Sequence, residues 1–307
     1  MAKTFTDPKD DKKEQGSSAS GQINTSENQE TKQSEQKPPD LEKKVPQTRQ
    51  PLAVFNDLLV KYEGVMHGLL QKKGVSVEEF QNIVINAVRK NPKLLQTDRM
   101  SLMASVLTCA ELGLRPNTPE QHCFLIPYGK QATFQMGYRG YVHLMYKEPR
   151  ILRISSEVVC EKDVFEYELG MSPKLKHVPN KTERGNKIGV YAIVEIDKAG
   201  HQICYLTAGD VKKLMAFSKQ PQNWTDAKDP MNWFWKKSAI KQVSKLVPKE
   251  IAEKIAKASM VDSLVEMGGT MTVDEGKVTV IYDKDKAKEY DFVADVFDVE
   301  DVEELKE

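Results

Sequence analysis

The sequence predicts an α+β protein: an antiparallel β-hairpin and meander sheet packed with flanking helices, between a disordered N-terminal arm and an acidic C-terminal tail. Three observations carry this. Apolar residues recur at three- and four-residue spacing up to Gly113 and again beyond Asp210, and the stretch between reads as short strands separated by turn residues. Residues 1–51 are rich in Lys, Glu, Gln, Ser, Asn and Pro, with one aromatic, Phe5, and no apolar period to offset the entropy of ordering. The zero net charge of the 307 residues hides a segregation. Residues 1–51 hold 9 basic and 9 acidic side chains, 52–259 hold 31 and 21, and 260–307 hold 5 and 15. The predicted division is therefore an arm (1–51), one folded body (52–259) large enough for a single core, and an acidic tail (260–307).

The elements follow in order. Phe55, Leu58, Leu59, Tyr62, Met66, Leu69 and Leu70 mark a helix that Gly74 can end. Ser76 followed by Glu79 is a capping box for a second helix carrying Phe80, Ile83, Val84, Ala87 and Val88, closed near Asn91-Pro92. A third amphipathic helix opens at Thr97 or Asp98 and runs through Leu102, Val106, Leu107 and Ala110 to Gly113. Residues 122–128 and 131–136 read as a β-hairpin with Gly129-Lys130 at its tip. Then comes a short helical segment in which Tyr138, Tyr141, Val142 and Met145 share one face and Arg139 and His143 another. Strands are predicted at 151–160, 165–169, 189–196 and 201–206. A short helix starts at Asp210, and a longer one is opened by Asp229 as N-cap and Pro230 at the first helical position.

Several function classes lack their residues. No apolar run approaches the roughly 18–20 residues of a spanning helix, and the first residues lack the apolar core of a secretory signal, so a cytoplasmic protein with no membrane partner is expected. Cys109, Cys123, Cys160 and Cys204 lie far apart, which predicts buried free thiols rather than a metal site or a disulfide framework. There is no phosphate-cradling G-x-x-x-x-G-K-[ST] and no nucleophile motif, so no cofactor and no covalent catalysis are expected. A metal-dependent nuclease would have to rest on Asp163, Glu166 and Glu168, which read more simply as a solvent-facing strand edge.

Polyanion binding is better represented. Lys130, Phe134, Gln135, Tyr138, Arg139 and Tyr141 cluster around the hairpin and the helix after it, where cations can follow phosphates and rings can stack bases. Phe134 and Tyr141 also fit a plain core role. A second basic set is Lys147, Arg150 and Arg153, with Arg153 expected on the same strand face as Ile151. A third is Lys236, Lys237, Lys241 and Lys245 in the last helix, where i, i+4, i+8 repulsion calls for an anionic partner. Gly137-Tyr138-Arg139-Gly140 matches a short GXXG clamp, although a strand rather than a helix precedes it. All three tryptophans fall at 224, 233 and 235, as expected of a packed element or a subunit interface, with base stacking as the alternative.

Taken in order, Ala110–Pro116, Ile126–Gly129, Phe134-Gln135, Gly137–Gly140, Asp163, Phe165–Tyr167, Gly170, Pro173, His177, Pro179 and Gly189–Ala192 resemble the RecT family of phage-type single-strand annealing proteins across roughly residues 52–250. The resemblance implies a non-enzymatic, ATP-independent protein that coats single-stranded DNA and pairs it with its complement through an annealed duplex intermediate. It also implies a homo-oligomeric ring or filament working beside a 5′ to 3′ exonuclease and the host single-strand-binding protein. On this resemblance Lys130, Arg139, Lys236, Lys237 and Lys241 are the expected phosphate contacts. Where the family commonly has Lys-Thr in the last helix, this chain has Lys237-Ser238. The acidic end is expected to dock a partner or to compete with DNA; its apolar islands at 278–282 and 290–297 fall outside the resemblance.

Overall fold

The computed structural model describes residues 50–247, 249–266 and 268–281, the side chains of 249–253 excepted. The expected arm through residue 49 and the island at 290–297 lie outside the described residues. The chain is α+β with antiparallel sheets, as predicted.

The first predicted helix is two, α1 (Pro51–Lys61) and α2 (Glu63–Leu70), which bury Phe55, Leu59, Met66 and Leu70 against the body. In α3 (Val77–Lys90) the Ser76 hydroxyl accepts from the Glu79 amide at 3.1 Å. The reciprocal half of the capping box is absent because the Glu79 carboxylate pairs instead with Arg115 at 2.7 Å. A 3-10 turn at Pro92–Gln96 leads to α4 (Arg99–Leu112), capped by Asp98 and ended at Gly113 in the left-handed region.

The amphipathic reading of α4 does not hold, since every residue from Ser101 to Ala110 is buried. Its polar positions misled the periodicity. Ser101 and Ser105 use their hydroxyls on one residue of the neighbouring strand: Ser101 accepts from the Ala132 amide at 2.9 Å and Ser105 donates to the Ala132 carbonyl at 3.3 Å. A satisfied hydroxyl can be buried at little cost, so α4 serves as the central helix although its sequence looks mixed.

The hairpin β1 (Cys123–Tyr128) and β2 (Gln131–Met136) pairs in the predicted register, Tyr128 opposite Gln131 across the two-residue turn. Next comes α5 (Tyr138–Tyr146). The three-stranded sheet has the order β3 (Ile151–Cys160), β6 (Lys187–Ile196), β7 (Gly200–Thr207). The hairpin β4 (Val164–Glu168) and β5 (Lys174–Val178) is inserted between the first two of these strands; β5, with its Lys-rich alternation, was not foreseen. A bulge between Ile151 and Arg153 shifts the register, so Arg153 is exposed while Ile151 is buried, against the expectation that they share a face.

The short helix α6 (Ala208–Ala216) carries a full capping box from Thr207 and Asp210. The last predicted helix is α7 (Trp233–Ser244), which starts three residues later than the Asp229-Pro230 signal suggested. Asp229 nevertheless supplies the cap. Buried and reaching past a left-handed Asn232, its carboxylate accepts from the amides of Trp233 (2.8 Å) and Phe234 (2.9 Å). Beyond it, α8 (Lys249–Glu266) runs through the expected 259/260 boundary, and a hairpin of β8 (Thr270–Asp274) and β9 (Lys277–Ile281) packs on α4. Residues 260–266 and 268–281 thus belong to the packed body, with Met271 and Val273 buried in the same core as Leu107. Among the described residues no helix is long and apolar enough to cross a membrane.

Candidate nucleic-acid interface

Two adjoining depressions form one groove between the β1–β2 hairpin and the segment from α6 to α7. Tyr128, Gln135, Ser218, Phe234 and Lys237 line both, which makes the groove continuous. Its walls are aromatic. Trp224 stacks on Phe234 with centroids 5.2 Å apart and planes 19° apart, and Tyr138 leans on Trp233 at 5.1 Å. The Lys219 ammonium lies 4.8 Å above the Tyr128 ring, where burial holds it below its ordinary pKa. Arg139 and Lys228 stand at one end and Lys245 at the other. Burial, followed by the charge of Lys241, pushes Lys245 below its ordinary value as well.

The floor is an internal ion cluster. Asp262 of α8, buried, accepts from the Met136 amide at 2.9 Å, from the Tyr141 hydroxyl at 3.2 Å, and pairs with Lys237 at 2.9 Å and Lys241 at 3.4 Å. Glu266, one turn on and partly exposed, pairs with Lys237 at 3.3 Å and Lys241 at 2.7 Å. Burial opposes the Lys237 charge, but Asp262 and Glu266 outweigh it and raise its pKa. Burial likewise opposes the Asp262 charge, and the two lysines overcome it.

Several expected contacts are corrected by these positions. Phe134 and Tyr141 have no exposed surface and cannot stack on a base. Lys237 and Lys241 are buried, and the anionic partner their spacing demanded is internal. Lys236 is spent on Glu157 at 2.9 Å and sits over the Trp233 ring. Gln135 and Tyr138, both half-buried, and exposed Arg139 line the groove as expected. Lys130 is exposed at the hairpin tip, its carbonyl accepting from Asp98 at 2.6 Å. Lys147, Arg150 and Arg153 are exposed away from the groove, with Arg150 paired to Glu148 at 3.3 Å. Lys219 and Lys228 were missed because residues 217–232 carry no apolar period from which to orient a side chain.

The glycines of Gly137–Gly140 serve packing and not a clamp. A Cβ on Gly140 would collide with the His122 carbonyl and one on Gly137 with the Gln121 carbonyl, while the Gly137 amide donates to His122 at 2.9 Å. This close approach sets α5 against the start of β1 and turns Tyr138 and Arg139 toward the groove. Two of the three carboxylates considered for metal chemistry have other partners, and Glu168 is exposed. Asp163, its side chain covered, holds Arg184 at 2.6 Å and His177 at 3.0 Å, and the Arg184 hydrogen bond keeps it well below the usual carboxylate range against the effect of burial. Glu166 pairs with Lys176 across the β4–β5 hairpin at 2.9 Å. Cys109, Cys123 and Cys160 are buried free thiols and Cys204 is half-buried.

Comparison with known proteins puts this chain in the recombination and strand-annealing class. The family model described as the RecT family matches residues 78–280, more than half of the chain, and the chain belongs to that family. Protein RecT of Escherichia coli (strain K12) is 30% identical over 187 residues, covering 58% of this chain and 68% of the relative. The uncharacterized protein YqaK of Bacillus subtilis (strain 168) is 26% identical over 175 residues, covering 57% of this chain and 59% of that relative.

Proposed function

We propose that the chain binds single-stranded DNA in the groove between the β1–β2 hairpin and the α6–α7 segment, and anneals it to its complement without nucleotide hydrolysis. The observation that carries this reading is the pairing of ring walls with cations: Tyr128 under Lys219, Trp224 on Phe234, Tyr138 on Trp233, with Arg139 and Lys228 at one end. Rings stack any base and cations follow the backbone, so affinity falls on all sequences alike. Annealing needs no group that makes or breaks covalent bonds, and the protein acts by electrostatic binding rather than as an enzyme.

Membership of the family supports a homo-oligomeric working form, a cytoplasmic site of action, and partnership with a 5′ to 3′ exonuclease and the host single-strand-binding protein. If each protomer neutralises about 3 phosphates, log affinity falls with a slope near −2 per decade of salt on single strands. The test mixes complementary dye-labelled oligonucleotides without ATP and follows energy transfer together with strand length. Faster pairing of intact strands supports annealing. Binding without faster pairing leaves a scaffold that recruits recombination partners, and a salt-independent affinity removes the electrostatic groove.

A further inference from the structure

Along α5, Arg139, His143 and Lys147 fall at i, i+4 and i+8, with Arg139 and Lys147 exposed. At the far end of this stripe three elements bring further lysines together. Lys73, in the turn after α2, donates to the Ala110 carbonyl at the end of α4 at 3.4 Å. Lys257 of α8 pairs with Glu111 of α4, and Lys254 stands one turn before it. Burial first, and the charge of Lys254 next, hold both Lys73 and Lys147 below the ordinary ammonium value. Glu111 is the carboxylate that acts on Lys73, and Lys257 already shares it. Beside the stripe His122 stacks on His143 with centroids 4.2 Å apart, so the imidazoles add donors that a polyanion can charge. Tyr146, the exposed tyrosine of α5, is held through its hydroxyl, which accepts from the Ile154 amide at 3.1 Å.

We propose that this α5–α8 face holds the phosphate backbone of a second nucleic-acid strand while the first lies in the groove. The inference rests on the groove reading above. A strand about to pair must keep its base edges free, and ammonium groups on flexible stems hold phosphates while leaving the bases open. A ring-lined groove instead grips the faces of the bases, which orders the first strand and still leaves its pairing edges open. Arg139 belongs to both surfaces, at one end of the groove and first on the stripe, so the two strands meet beside it.

The test saturates the full chain with an oligothymidylate carrying one dye, then titrates an oligodeoxycytidylate carrying another, which cannot pair with it. Wild type should take up the second strand without releasing the first. The double variant Lys147→Glu/Lys254→Glu should keep first-strand affinity within about twofold and lose second-strand uptake by about tenfold or more, as expected when several phosphate contacts are reversed. Lys147→Ala/Lys254→Ala, with an unchanged melting temperature, should show a smaller loss in the same direction and guards against misfolding. Displacement of the first strand by the second, no uptake by wild type, or parallel loss of both affinities in the variants would overturn the second site. Failure of wild type to bind the first strand at all would instead remove the groove reading, and it is seen in the first titration.

Discussion

On α7, Lys237, Lys241 and Lys245 share a face at i, i+4 and i+8, and on α5 Arg139, His143 and Lys147 do the same. The fold treats the two stripes in opposite ways. The first two lysines of α7 are drawn into the body and matched by Asp262 and Glu266, so their charge holds α8 in place. The two outer cations of α5 remain exposed. Identical spacing therefore carries structure in one helix and leaves exposed charge in the other: the α8 carboxylates meet the lysines of α7, whereas from α5 Asp262 takes the Tyr141 hydroxyl.

The largest break in this comparison comes from Asp262→Asn. Two buried lysines would keep Glu266 but lose the buried one of their two shared carboxylates, and we expect about 3–5 kcal/mol of destabilisation in urea unfolding, as for other buried pairs broken on one side. A loss under about 1 kcal/mol would mean that the α7 lysines are solvated and free for DNA. Gly140→Ala comes next. The new methyl must displace the His122 carbonyl, and overpacking of this kind costs roughly 1–3 kcal/mol, with weaker DNA binding because Tyr138 and Arg139 shift together. Glu266→Gln is smaller and of opposite sign for binding. With one neutralising charge gone from a partly exposed pair, ssDNA affinity at low salt should rise by a few fold, roughly 1 kcal/mol or less, measured by fluorescence anisotropy. Unchanged affinity would detach the ion cluster from the groove.

The finest distinction is in pH. Burial, His122 and Lys147 hold His143 at about 4 against an ordinary value of 6.5, with Glu120 acting the other way, and burial lowers His122 too. Arg139, Lys147 and Arg115 act on His122 in the same sense. Above pH 6.5 the rings are neutral folded or unfolded and add no pH dependence. As pH falls from 6.5 toward 4 the unfolded chain takes up protons that the folded chain refuses, so stability drops through that window. Differential scanning calorimetry at pH 7.5 and 5 should show a falling melting temperature for wild type and a flatter profile for His143→Gln. A polyanion on the α5 face reverses the sign for binding, since it favours the charged imidazole; DNA affinity should rise over the same window in wild type and less so in the variant.

Much of the scaffold was legible in the sequence because local chemistry decided it. Ser76, Asp98 and the Gly129-Lys130 turn act within a few residues of themselves. What failed to show depended on distant partners. The burial of α4 rests on Ala132, more than twenty residues from its serines, and the neutralisation of the α7 stripe rests on Asp262, which composition alone assigned to an acidic tail. The delayed start of α7 belongs with these, because Asp229 caps across an Asn232 bend that no spacing rule describes. Half of the groove was visible, in Gln135, Tyr138 and Arg139. The part built from Lys219 and Lys228 sits in irregular chain whose side chains are aimed only by tertiary packing.

Asp262 is 126 residues from the Met136 amide and 121 from the Tyr141 hydroxyl that it holds. In synthesis from the N-terminus, the hairpin, α5 and α7 all leave the ribosome before the carboxylate that fixes them to one another. Until α8 emerges, the nascent chain carries Lys237 and Lys241 without their counter-ions, in a body whose most distant closure is still to come. A working groove is thus a property of nearly the whole described chain, and its assembly is timed by α8 rather than by the hairpin that appears before it. Any shortening meant to probe the acidic end alone has to begin beyond Ile281, because a cut after Met260 would remove Asp262 and Glu266 and the β8–β9 hairpin with them.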